Sequence, residues 1–329
     1  RRCLISAELM AEDYSFTIAQ CDVPADRRSA LESYRAKRRE WISWLDDDPD
    51  HAIWTTISQM VWIDVSFRAL SELALADAGS CLTNSLIAEK LINGHVATQV
   101  LAIRRLVEGN RGVISLRRLL IEIRSNFHLF TRENYVCYDG LPYDYEPVMQ
   151  KEISEKAGKG AFWGSSTGPE SWSSAQMAHE QFDRLSGIAA AERGREDRLP
   201  PALLDAIEGW LADSDAESLA KWSHAYLAHA GCAVSREQIA ELKVTNDKIT
   251  NAIRTIARVT EALSAYILYA GGRANSLMPT AQFDQFEGLD RPATTNDEPG
   301  RRLWDGLTND RDEWVNTVRE DLIKALIGQ

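Results

Sequence analysis

The chain has no charge-free run of 18 residues; the longer ones, such as Trp222 to Ser235, stop at 14. A helix that crosses a membrane needs about 20 apolar residues in succession, so neither a transmembrane helix nor a membrane partner is expected. Cysteine is sparse. Cys3, Cys21, Cys81, Cys137 and Cys232 are scattered, odd in number and without a C-x-x-C pair. Neither a disulfide framework nor a zinc site is indicated, and the pattern reads as a reducing, cytoplasmic compartment. Positive charge is in deficit, with 37 Lys and Arg against 49 Asp and Glu. The resulting net charge of −12 argues against nonspecific capture of nucleic acid by the whole surface. Glycine loops that cradle phosphates are missing, since "AGGR" near 272 lacks the spacing of a P-loop or a dinucleotide fingerprint. No G-x-S-x-G nucleophile elbow occurs, and no cofactor is called for. The opening "RRCLISAELMAED" turns acidic too soon for a secretory signal, and its Arg in place of Met reads as a trimmed start. Strand-like alternation is nearly absent.

What remains is helical periodicity. "LRRLLIEIRSNFHLF" sets Leu116, Leu119, Leu120, Ile123, Phe127 and Phe130 on one stripe. "RRSALESYRAKRREWISWL" and "HAIWTTISQMVWIDVSFRALSELALAD" read as two helices parted by "DDDPD", and "LINGHVATQVLAIRRLVEG" as a further helix ending near Gly109. Ser235 with Gln238 forms a capping box, and Gly271–Gly272 supplies a stop. Between them Ile239, Leu242, Asn246, Ile249, Ile253, Ile256, Thr260, Leu263 and Ile267 step by three and four. That heptad pattern fits a bundle-core helix over residues 235 to 270, or a seam shared with a second subunit, with Asn246 able to fix register in either case. The expected architecture is an all-α helical bundle forming a single domain over residues 1 to 329. Two stretches, 156 to 174 and 278 to 300, read as surface loops, and a last helix follows from Arg301.

Charge is uneven. Residues 27 to 39 and 101 to 132 each carry a local balance of +5. These basic helices could form an anion-binding face or pair with the protein's own acidic helices. Arg117, Arg124, His128 and Arg132 lie opposite the apolar face of their helix, the last three at i+4 intervals. Such a stripe could grip phosphate, or be an ion-paired helix face. "ENYVCYDGLPYDYEP" clusters tyrosines with Asp139, Asp144 and Glu146, as a recognition loop or a turn that covers the bundle. Asp46, Asp47, Asp48 and Asp50 could recruit a hard cation, or cap the helix that follows.

The segment "KWSHAYLAHAG", residues 221 to 231, holds His224 and His229. Ser214 with Glu217 makes a capping box ahead of it, and Gly231 makes a stop. Trp222, Tyr226 and His229 fall at i, i+4 and i+7 of one helix face, near a C-terminus whose dipole favours an imidazolium. The two histidines are five apart, about 140° round a helix, and so form no metal-binding pair. No metal is expected.

"KWSHAYLAHAG" followed by a long helix resembles the signature region of the HEPN superfamily, in its AbiU-like abortive-infection branch. "QVLAIRRLVEGNRGVISLRRLLIEI" is similar to the same branch. The likeness covers roughly residues 35 to 270. It implies an all-helical bundle, often dimeric, in which the Arg and His of two subunits face one another and cleave RNA without metal. Histidine can move a proton at a ribose hydroxyl, and arginine can hold the phosphate with paired donors. In this chain the positions where the family carries Arg are Trp222, Ser223 and His224. Lys221 lies one residue outside that spacing, and an ammonium is a point charge rather than a fork.

The resemblance therefore implies a defence-associated binding module for RNA or a protein partner, with a degenerate ribonuclease motif and self-association as a homodimer. A metal-independent endoribonuclease is the enzyme alternative. Its catalytic residues would be His229, His224 and Lys221, with Arg117, Arg124, His128 and Arg132 on the RNA phosphates. A structural scaffold without ligand is the third.

Overall fold

The computed structural model describes residues 14–157, 164–228, 237, 239, 241–273, 276–278, 284, 285, 287 and 298–327. Among these the fold is all-α: no strand occurs, only an isolated bridge between Thr131 and Arg198. In chain order the helices are α1 (Arg28–Ile42), α2 (Ile53–Ala76), α3 (Ser85–Val107), α4 (Leu116–Ser125), α5 (Arg132–Cys137), α6 (Tyr145–Lys156) and α7 (Trp172–Ser186). They continue as α8 (Ala202–Ala212), α9 (Asp215–Ser223), α10 (Asn246–Glu261), α11 (Glu298–Asn316) and α12 (Val318–Ile327). Read in sequence as one domain, the chain divides into two compact units, residues 1–40 with 124–203 and residues 41–123 with 204–329.

The first unit is built from short elements. Helix α7 packs against α5 and α6. Its Phe182 and Leu185 are buried, as are Leu31 and Tyr34 of α1, Phe130, and Tyr135 and Val136 of α5. Tyr34 meets Phe130 edge-on at 5.4 Å between ring centroids. Gly140 and Gly168 both have positive φ, and a Cβ on either would run into the Phe16 ring. Here the backbone needs glycine for its conformation and for its closeness to an aromatic ring.

The second unit is a bundle of longer helices. Helix α2 buries Ile53, Trp54, Ile57, Val61, Val65 and Leu73 over much of its circumference while also carrying Asp64, Arg68 and Glu72, and such a helix needs neighbours on several sides. It packs against α3, α10 and α11, while α9 packs against α3 and α10. Ser115 caps α4, its hydroxyl accepting from the Arg118 amide at 3.1 Å, and Leu116, Leu119, Leu120 and Ile123 are buried.

Several helix boundaries differ from the sequence reading, among them the start of α3, at Ser85 rather than Leu91. Helix α4 stops at Ser125 rather than running on to Phe130. Asn126 leaves helical geometry (φ −113°, ψ 17°), and Phe127–Leu129 forms a 3-10 turn. Helix α10 begins at Asn246, not at 235, because residues 242–245 are not helical and Thr245 caps the new start, accepting from the Lys248 amide at 3.3 Å. Asn246 is then an exposed first residue and fixes no register. Ile249, Ile253, Ile256, Thr260, Leu263 and Ile267 are buried, so the chain's own core fills that part of the seam. At roughly 1.5–3 kcal/mol for a fully buried aliphatic side chain, this burial outweighs any helix propensity. The expected last helix divides at Thr317 into α11 and α12. "DDDPD" does separate α1 from α2, but no aspartate caps α2, whose N-cap is Ala52; Asp48 instead accepts from the Asp50 and His51 amides of the connecting turn at 3.1 and 2.6 Å.

Candidate functional site

Helix α9, in the second unit, ends in the first three residues of "KWSHAYLAHAG", Lys221 to Ser223. Ser214 caps it, its hydroxyl accepting from the Ala216 amide at 3.2 Å. Glu217 does not close the capping box; its carboxylate pairs with Arg117. Ala216, Leu219 and Ser223 form the buried side of the helix. After Ser223 the chain widens into a π-helical turn, His224–Ala228, a form found often at functional sites. Lys221 and His224 are exposed. The Trp222 and Tyr226 rings stack with centroids 5.0 Å apart and planes 22° from parallel, and Tyr226 is 41% exposed. His229 and Gly231 lie outside the described residues.

Beside this segment is a polar cleft of about 580 Å³, bounded by the start of α9 and by α10. Ser214, Ser218, Lys248, Asn251, Arg254 and Thr255 line it, together with Asp213, Asp215 and Leu242. Ser214, Ser218 and Lys221 fall at i, i+4 and i+7, so Lys221 is one turn beyond the cleft on the same side of α9. Arg254 also lies over the Trp314 ring, 5.2 Å from its centroid. Among the described residues neither Lys248 nor Arg254 is held by a carboxylate. The cleft thus offers two cations matched in number by the Asp213 and Asp215 carboxylates, with hydroxyls and an amide, and a third cation and an aromatic pair next along the helix. Sequence reading missed it, because its two sides, residues 213–218 and 242–255, are far apart in the chain.

The basic stripe is not one surface. Arg117, in the second unit, donates through Nε to the Val107 carbonyl at 3.1 Å and pairs with Glu217. Arg124 ends α4, and His128 is exposed on the 3-10 turn. Arg132 is on a different helix, α5, and is wholly buried in the first unit. Its Nη1 bonds Asp183 at 2.6 Å and its Nε bonds Asp197 at 2.8 Å. The i+4 spacing of residues 124, 128 and 132 fails as a stripe because the helix ends between them, and Arg132 is an internal tie rather than a phosphate grip.

Around Arg132 the first unit holds a centre the sequence reading did not identify. Arg193 bonds Asp183 at 2.6 Å and the Tyr145 hydroxyl at 3.2 Å. Arg195 bonds Glu133 at 2.8 Å and lies over the Tyr143 ring at 4.1 Å. His179 donates through Nε2 to the Tyr143 carbonyl at 2.9 Å, and its Nδ1 has no hydrogen-bond partner among the described residues. Burial, reinforced by Arg193 and Arg132, lowers its pKa to about 4, against the Tyr143 hydrogen bond, so the ring is neutral near pH 7. Burial raises Tyr143 to about 12. Two signals in the chain mark this centre: His179 and Asp183 at i, i+4 on α7, and the alternation Arg193, Arg195, Asp197. The tyrosine-rich "ENYVCYDGLPYDYEP" supplies its aromatic side.

No group of His, Cys, Asp and Glu among the described residues could hold a metal ion, and no described helix is long and apolar enough to cross a membrane. No family model matches this chain, nor does any curated protein or solved structure.

Proposed function

We propose that the chain is a HEPN-like, defence-associated module that binds single-stranded RNA at the α9–α10 cleft without cleaving it. The observation that carries this reading is the run of the cleft into the end of α9: Lys248 and Arg254 inside it beside Asp213 and Asp215, then Lys221, then half-buried Trp222 stacked on exposed Tyr226. Sequence-tolerant binders of single strands combine cations that track the backbone with aromatic faces on which bases stack. Serine, threonine and asparagine side chains suit ribose hydroxyls and phosphate oxygens. The local cluster acts against a net charge of −12, so binding is weak and strongly salt-dependent. Lys221 and His224 serve as contacts. A catalytic role is not assigned, since the positions where active members of the resembling superfamily carry arginine hold Trp222, Ser223 and His224.

Fluorescence anisotropy with a labelled oligouridylate tests this. Tyr226→Ala removes a stacking face worth about 1–3 kcal/mol per base, so affinity is expected to fall roughly fivefold or more at constant salt. Lys248→Ala and Arg254→Ala should weaken binding and flatten its salt dependence. Equal affinity in all three variants would sink the reading. RNA cut in EDTA by the unaltered chain, but not by a His229→Ala chain, would replace it with the endoribonuclease alternative.

A further inference from the structure

Helix α10 carries two arginines one turn apart, and they are held in different ways. Arg258 lies over the Trp210 ring, 5.1 Å from its centroid, and is also paired with Asp321 of α12. Arg254 lines the α9–α10 cleft and lies over the Trp314 ring of α11 at 5.2 Å, with no carboxylate bonded to it among the described residues. A carboxylate takes up the N–H fork of a guanidinium and cancels its charge. An aromatic ring takes only a flat face of the group, and leaves the charge and the N–H edge to a ligand. Trp314 is itself fixed in place. It is 6% exposed, and a second guanidinium, that of Arg311, lies over its ring at 4.8 Å. Arg311 is held by the buried carboxylate of Asp64 on α2. Asp64 also bonds Arg68, whose Nη2 donates to Thr250 Oγ1 at 2.6 Å, one turn before Arg254 on α10. The helix that carries Arg254 and the ring beneath it are both tied to one buried carboxylate.

We propose that Trp314 is a positioning residue for RNA binding: it holds Arg254 in the cleft with its charge uncancelled and its N–H edge free for a phosphate. The proposal rests on the reading of the cleft as an RNA site. Trp314 is not among the residues that line the cleft, so it touches no RNA and acts through Arg254 alone. An arginine on a flexible stem loses side-chain freedom when it grips a phosphate. One already laid on a buried ring has lost much of that freedom before the ligand arrives, and preorganisation of this kind strengthens binding without a new contact. Lys248, the other cation of the cleft, has no such support among the described residues, and its point charge needs less orientation than a planar fork does.

Anisotropy with the labelled oligouridylate, run on the full chain as a double-mutant cycle, tests the proposal. Trp314→Leu is expected to weaken binding roughly two- to fivefold, the worth of an exposed cation–π contact. Trp314→Phe keeps an aromatic face and should recover most of that loss. With Arg254→Ala already in place, Trp314→Leu should cost nothing further; with Lys248→Ala in place, it should cost its full amount. A merely structural role for the ring would weaken binding equally in both backgrounds, and that result overturns the proposal. Full affinity in Trp314→Leu does so too. If the unaltered chain binds no oligouridylate, the RNA reading fails, and the hold of Trp314 on Arg254 is read separately from the side-chain NMR signal of the unaltered chain. Ring current should displace the Arg254 Nε–H resonance, identified by its loss in Arg254→Lys, upfield of those of other exposed arginines. A resonance at the ordinary position overturns the positioning claim without any change at Trp314, so the test stands even where Trp314→Leu fails to fold.

Discussion

Among the described residues each unit buries one arginine completely, and the two are held differently. In the first unit Arg132 faces two carboxylates, Asp183 and Asp197, which also serve Arg193 and the Gly194 amide. In the second, Arg311 faces the single carboxylate of Asp64, which it shares with Arg68, while His95 lies 3.8 Å away. The first centre therefore matches its two arginines with two carboxylates, and the second has cation to spare. Burial lowers the pKa of both Arg311 and His95, and Asp64 only partly opposes the shift. The difference follows from what surrounds each centre. Where long helices such as α2 and α10 bury continuous apolar seams, one ion pair is a local feature of a core that stands without it. Where the elements are short, as around α5 and residues 193–198, ionic ties take over the joining.

The largest test of that contrast is Arg132→Met. It keeps most of the side-chain volume but takes the buried guanidinium from Asp183 and Asp197, leaving Asp183 to Arg193 and Asp197 to the Gly194 amide. Breaking a buried pair by removing one partner costs about 3–5 kcal/mol. Urea unfolding should show a loss of that size. Hydrogen exchange should place it, with protection lost across α5, α7 and residues 193–199 while the buried seam of α10 keeps its protection. A uniform loss in both units would mean that the ionic ties are no more important to the first unit than to the second.

Acid provides the next test. His179 is neutral in the folded protein down to about pH 4, whereas an unfolded histidine titrates near 6.5. Between those values the unfolded chain binds more protons, so stability is complete above pH 6.5 and falls as pH drops toward 4. By pH 5 the loss from this one ring is about 2 kcal/mol. His179→Gln can still donate to the Tyr143 carbonyl and does not titrate, so it should remove that part of the pH dependence. His95 is shifted the same way, which leaves a residual slope belonging to the second unit. If His179→Gln titrates like the unaltered chain, the acid-sensitive group is not in the first unit.

The helices that bury a continuous stripe were legible. α2 and α3 follow from apolar periodicity, because burial of a face is what the period records. The boundaries of α4 and α10 were harder. Phe127 and Phe130 keep the helical period past Ser125, and Phe130 is buried although no helix carries it. Periodicity reports burial, and burial outlasts the helix. Ser235 and Thr245 are both good caps by residue type; Ser235 lies outside the described residues, and Thr245 caps α10 because residues 242–245 are not helical. The candidate site was half legible. Lys221, His224 and the Trp222–Tyr226 stack belong to one segment of chain, but their relation to Lys248 and Arg254 depends on how α9 lies on α10. Arg132 misled for a related reason. An arginine at i+4 intervals from other polar residues looks exposed, and nothing local reveals that Asp183 and Asp197, some fifty and sixty residues on, meet it.

The smallest expected effect is the sharpest control on the comparison. Arg117, like Arg132, bonds a carboxylate and a backbone carbonyl. It was also placed on the same stripe by its sequence. It differs in exposure: its side chain is 31% exposed and that of its partner Glu217 36%, against 0% for Arg132. Half-open pairs gain little, since water competes for both ions and two long side chains lose freedom, so the usual contribution is about 0–1 kcal/mol. Arg117→Ala should therefore cost well under a third of what Arg132→Met costs, and added salt should erode the difference between Arg117→Ala and the unaltered chain. Since Glu217 can turn to solvent once its partner is gone, no stranded charge remains. A loss at Arg117 as large as that at Arg132, and insensitive to salt, would mean that the chemistry of the pair rather than its burial sets the scale in this protein.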